Sequence, residues 1–94
     1  MARVKFTRHL VRFFPKLAEN PNAVQAEGDT VAELIADLDE QFPGLAAYIV
    51  DERGALRKHV NIFREGELIR DRETLADAVQ PDDQIHIFQA LSGG

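Results

Sequence analysis

A single amphipathic helix set among short strands leaves this chain few ways to fold. Thr30-Val31-Ala32-Glu33 has the spacing of a capping box, in which the Thr30 hydroxyl and the Glu33 carboxylate satisfy free amides at a helix start. Val31, Leu34, Ile35, Leu38 and Phe42 follow at helical spacing and form one apolar stripe. Asp29 and Glu33 lie near the positive end of the helix dipole. Pro43-Gly44 stops the helix. One stripe needs one apolar surface, and a small mixed sheet with one covered face supplies it. Ninety-four residues allow one domain. A domain this small does not easily wall off a catalytic cavity, which favours a binding or carrier role.

The remaining segments read as strands and turns. Arg3 to Leu10 alternates, with Val4 and Phe6 on one side, as a half-buried strand does. Val11 to Leu17 is apolar but broken by Pro15, which predicts a loop or irregular turn. Ala23 to Glu27 predicts a second short strand, paired with the first as a hairpin. Leu45 to Val50 suggests a short further turn, and Asp51 to Ala55 an exposed loop. His59 to Arg64 is a strand with Val60 and Ile62 facing inward. Glu65-Gly66 turns it into Glu67-Leu68-Ile69. Glu73 to Val79 predicts one or two helical turns with Leu75 and Val79 on one side, and Pro81-Asp82-Asp83 a polar turn. Gln84 to Phe88 reads as a last strand, central and well covered. Placing the first and last strands side by side sends the C-terminus out at the edge of the sheet.

The chain then ends Gln89-Ala90-Leu91-Ser92-Gly93-Gly94. Terminal glycines pack nothing and lose the most freedom on ordering. Such a tail is thin enough to thread a narrow active site, and the Gly94 carboxylate is then the working group. The alternative is a frayed terminus, where small polar residues collect anyway. The expected division is a domain over 1–90 and a flexible tail over 91–94.

Composition excludes several chemistries. There is no cysteine, so there is no disulfide, thiolate metal site or thiol nucleophile. The net charge of -5 disfavours nucleic acid as the main partner and fits a protein with a basic docking surface, or simple solubility. The start lacks the apolar run of a signal peptide and no segment is long enough to span a bilayer, so no membrane role and a cytoplasmic protein are expected. His9, His59 and His86 share no ligand spacing, and no metal site is expected. Asp82-Asp83 beside Pro81 reads as a turn rather than a cation site. No phosphate-binding loop and no nucleophile–base arrangement is evident, so no catalytic residue is assigned and any ATP must be a partner's.

Four features in order resemble the ThiS/MoaD family of ubiquitin-like (β-grasp) sulfur carriers. They are Gly28-Asp29-Thr30-Val31-Ala32-Glu33-Leu34, Val60-Asn61-Ile62-Phe63-Arg64-Glu65-Gly66-Glu67, Pro81-Asp82-Asp83-Gln84-Ile85 and Ser92-Gly93-Gly94. The resemblance implies an α+β ubiquitin-like β-grasp fold, with a mixed sheet of four to five strands on one main helix and a flexible C-terminal tail. It implies that the Gly94 carboxylate is adenylated by a ubiquitin-activating-like adenylyltransferase and then converted to a thiocarboxylate. Leu91, Ser92 and Gly93 would thread into the partner. The carrier itself would bind no cofactor and would be a cosubstrate, not an enzyme; ATP is used by the activating partner. A sulfurtransferase or persulfide donor and an acceptor enzyme complete the expected partners, with the chain a monomer on its own. Two departures bear on the pathway. Gln89-Ala90-Leu91 stands where members often have proline or small residues. The stretch from Asp51 to His59 is longer than in the molybdopterin type and resembles carriers that serve cysteine biosynthesis.

Phe63 and Phe88 have outward parity if Val60, Ile62, Ile85 and Ile87 face the helix. An aromatic pair on an open sheet face is a natural docking patch, and in the family the position matching Phe88 lies on the partner-binding face. The competing reading is that a loop or Phe13-Phe14 covers them. The rivals to a carrier are a protein modifier joined to lysines through Gly94, the small subunit of a molybdopterin-synthase-type complex, and an interaction domain with an inert tail.

Overall fold

The structure is a computed structural model that describes residues 1–7, 10, 14, 17 and 24–89. Among the described residues the named strands and helices run in the order β1 (Ala2–Phe6), β2 (Val24–Ala26), α1 (Val31–Gln41), α2 (Leu45–Ile49), β3 (Val60–Arg64), β4 (Glu67–Leu68) and β5 (Gln84–Gln89). The strands form one mixed sheet in the order β2-β1-β5-β3-β4. β1 and β5 are parallel neighbours, and every other pairing is antiparallel. The expected α+β β-grasp architecture is therefore the one observed, with the last strand at the centre.

The capping box forms with one change. Thr30 Oγ1 accepts from the Glu33 nitrogen at 3.2 Å, but the Glu33 carboxylate reaches the nitrogen of Asp29, also at 3.2 Å, rather than that of Thr30. The 75–79 segment bridges to Thr30 through Ala78. Its Asp77 and Leu75 carbonyls accept from Val31 and Ala32, so tertiary contacts satisfy the first amides of α1. Val31, Leu34, Ile35 and Leu38 are buried against the sheet, and Phe42 caps the helix half-buried. The Asp39 carboxylate accepts from Gly44 and Ala46, which starts α2 directly after Gly44 at φ 95°.

Three expectations need correction. β1 ends at Phe6 rather than running to Leu10, whose backbone is helical and whose side chain is fully buried. The Thr7 hydroxyl accepts from the Gln89 nitrogen where a strand would offer its carbonyl, and the ladder stops there. The 73–79 segment is not helical. Asp71 accepts from Glu73, Thr74 and Ala76, and Leu75 then takes φ 57°, which turns the chain into the bridge with α1. Leu75 and Val79 are buried as expected. Finally, β5 is central but covered on one face only: Ile85 and Ile87 are buried, while Gln84, His86 and Phe88 are exposed. The loop expected over 11–17 lies outside the described residues, apart from Phe14 and a buried, helical Leu17.

Candidate docking face and tail exit

The face of the sheet away from α1 is open. Register carries one row of side chains straight across it: Lys5 opposite His86, His86 opposite Phe63, and Phe63 opposite Leu68. The next row on β5 and β3 pairs Phe88 with Asn61. Phe63 and Phe88 are therefore diagonal neighbours on one surface, as parity predicts. Phe88 is 41% exposed and Leu68 50%; Phe63 is half-buried. The His86 ring meets Phe88 edge-on with centroids 6.2 Å apart. A shallow depression of about 380 Å³ lies between Lys5, Phe63, Gly66, Gln84 and His86. Gly66 sits at φ 81° with open space where a Cβ would be, the second residue of the two-residue turn that sets Phe63 against Leu68.

Phe14 does not cover this face. It packs edge-on against Tyr48 of α2 at 5.3 Å and borders Gly44, on the helical side of the sheet. Phe13 lies outside the described residues. Lys5, His86 and Leu68 are the members of the row that sequence reasoning left out. The Glu65-Gly66 turn could have located Leu68, since a two-residue turn places residues 63 and 68 opposite each other.

A buried carboxylate and a half-buried guanidinium lock the ends of this face. Asp83 accepts from Arg64 Nε at 2.5 Å and from the Gln80 nitrogen at 2.7 Å, which ties the end of β3 to the turn feeding β5. Arg72 donates to Asn61 Oδ1 at 2.9 Å and to the carbonyls of Arg57 and Val60, which fixes the start of β3.

Gln89 closes the described part of β5. Its Oε1 is buried with no hydrogen-bond partner among the described residues, at the root of the tail. Leu91, Ser92, Gly93 and Gly94, assigned from sequence as the threading and reacting residues, lie outside the described residues, as does His9. His59 and His86 are exposed and line different depressions. Among the described residues no group of three His, Asp or Glu side chains could hold a metal ion, and no helix is long and apolar enough to cross a membrane.

This architecture is that of β-grasp proteins. A chain in the crystal structure of the Amycolatopsis orientalis BexX/CysO complex superposes with a TM-score of 0.82 at 26% identity, covering 100% of both chains. Mycobacterium tuberculosis CysO superposes with a TM-score of 0.81 at 27% identity over 97% of this chain and all of that one. A model of the ThiS family matches residues 11–94, and the chain belongs to that family. Among curated relatives, the sulfur carrier protein CysO of M. tuberculosis is 34% identical over 77% of this chain and 80% of its own length. Small archaeal modifier protein 1 of Haloferax volcanii is 30% identical over 88% of this chain and 97% of its own.

Proposed function

We propose that this chain is a sulfur carrier whose Gly94 carboxylate is the reacting group. The observation that carries the reading is that one central strand holds an exposed aromatic residue, Phe88, and leads directly into the five residues that end in two glycines. Extended, those five span about 17 Å, enough for the tip to enter a site while the sheet face rests on its rim. Family membership and the CysO relatives support the same reading.

The chemistry needs a partner. A carboxylate is a poor electrophile. An adenylyltransferase joins a Gly94 oxygen to the α-phosphorus of ATP and releases pyrophosphate. The acyl carbon then carries AMP as a good leaving group. A persulfide sulfur attacks that carbon and AMP departs; a thiol reductant splits the acyl disulfide and leaves the thiocarboxylate. The chain contributes the substrate group, the thin tail and the docking face, and acts as a cosubstrate. An acceptor enzyme takes the sulfur. The long 51–59 segment leans the pathway toward cysteine biosynthesis rather than molybdopterin.

Intact mass of the protein isolated from its host tests this. A carrier shows the mass change of one oxygen replaced by sulfur, lost when an alanine that the host cannot trim is added after Gly94. The likeness to small archaeal modifier protein 1 supports a second reading, attachment to lysines. That reading predicts a ladder of conjugates on other proteins and no sulfur-bearing species.

A further inference from the structure

β5 runs from an acidic end of the molecule to a basic one. Beside its start, a groove against Gln80 and Pro81 is lined by Glu27, Asp29, Glu33, Asp37 and Glu40. At its finish, Gln89 borders a cleft of about 640 Å³ beside the 51–59 loop. Arg53, Arg57, Lys58 and Arg72 line that cleft against the carboxylates of Asp51 and Glu73.

Of these cations Arg53 alone meets a carboxylate among the described residues, Asp51 Oδ2 at 3.5 Å, and its side chain stays exposed; the other three are not neutralised. Arg57 Nε donates to the Ala47 carbonyl at 2.8 Å, and Arg72 donates to the Arg57 and Val60 carbonyls and to Asn61 Oδ1. None of those acceptors carries a net charge. Asp51 is spent on its own loop, where Oδ1 accepts from the nitrogens of Arg53 and Ala55. Lys58 is exposed and has no ion-pair partner among the described residues. A chain of net charge -5 thus gathers positive charge at the root of its tail.

We infer that this cleft is a docking collar for an acidic protein surface that rims the opening the tail enters. The inference rests on the carrier reading and names the chemistry of its partner around the tail. The acidic groove at the other end of β5 is repelled by the same rim, so the two poles steer the molecule in tail first. Charge arranged this way acts mainly on encounter rate and orientation, and salt weakens it. The acidic remainder of the chain disfavours a nucleic acid as the occupant.

The test is ATP–pyrophosphate exchange by the host's ubiquitin-activating-like enzyme, with the full chain as substrate, at roughly 50 mM and roughly 500 mM salt. Lys58→Glu is expected to raise the KM for the chain roughly tenfold at low salt with kcat unchanged, and the defect shrinks at high salt. Arg53→Glu, at the same cleft, gives the same signature, while Glu40→Lys at the acidic pole does not raise KM. Thermal melts show each variant folded. If Lys58→Glu and Arg53→Glu both match wild type at both salts, the collar is wrong and the carrier reading survives. If wild type itself supports no exchange, the carrier reading falls and takes the collar with it.

Discussion

Asp83 Oδ2 lies 2.5 Å from Arg64 Nε and 2.7 Å from the backbone nitrogen of Gln80, with the Asp83 side chain only 7% exposed. One carboxylate therefore holds the end of β3 and the turn before β5 together. Removing it leaves a backbone N–H unpaired and a guanidinium with no counter-charge, one third exposed. Asp83→Ala is expected to lower the free energy of unfolding by about 2 kcal/mol, below the cost at a fully buried pair because water screens Arg64. Asp83→Asn, which can still accept from Gln80, loses less. Urea denaturation of the two variants measures this, and equal losses would show that the Gln80 bond is idle.

Gly28 sits where the chain presses on the first turns of α1. A Cβ there would lie 2.5 Å from the Leu34 nitrogen and 2.9 Å from the Glu33 carbonyl carbon, both backbone atoms. Gly54, at φ 83°, has nothing within 4 Å of the same position. Gly54→Ala is expected to cost about 1 kcal/mol, the strain of the left-handed backbone alone. Gly28→Ala should cost more, about 2–3 kcal/mol, because α1 must also shift. Thermal melts of the pair separate clash from strain.

The Asp71 carboxyl is held at about 2, against an ordinary 3.8, chiefly by the Thr74 hydroxyl and then by the Thr74 nitrogen. Asp51 is lowered as well, first by the bond from the Arg53 nitrogen. A carboxyl with a lowered folded value stabilises the fold fully above its unfolded value and loses that contribution as pH falls through the folded one. Stability is therefore expected to decline as pH drops from 3.8 toward about 2. Asp71→Asn cannot ionise and should flatten that decline. Urea titrations across this range check it, and an unchanged slope would place the acid sensitivity elsewhere.

What the sequence revealed, and what it hid, divides along the range of the forces involved. The stripe on α1, the Thr30 cap and the Glu65-Gly66 turn are local, and each is visible within a few residues. Central placement of β5 followed from its apolar character. The Arg64–Asp83 tie spans 19 positions and joins two segments that no periodicity connects. Leu75 read as helical because its spacing to Val79 fits a helix, yet Asp71 and the bridge to Thr30 pull it to φ 57°. The basic cleft looked like no more than a long loop, since Arg72 reaches it from a different element. Of the candidate site, Phe63 and Phe88 were legible from strand parity and Leu68 was within reach of the Glu65-Gly66 turn; Lys5 and His86 needed the register.

Ile87 and Phe88 are adjacent on β5 and point to opposite faces, one fully buried and one 41% exposed. The docking reading makes them separable. Ile87→Ala removes core volume beneath α1 and is expected to cost about 2–5 kcal/mol. Phe88→Ala removes a side chain that is 41% exposed, so stability should stay within about 1 kcal/mol. Its effect should fall on association, where truncating an aromatic anchor at the centre of an interface typically costs about 2 kcal/mol, or a KM for the activating enzyme raised some thirtyfold. Phe63→Ala, half-buried between His86 and Leu68, should show a share of both losses. Melting curves beside the exchange kinetics decide it. If Phe88→Ala unfolds the protein as readily as Ile87→Ala, the exposed face is part of the core and no docking role remains for it.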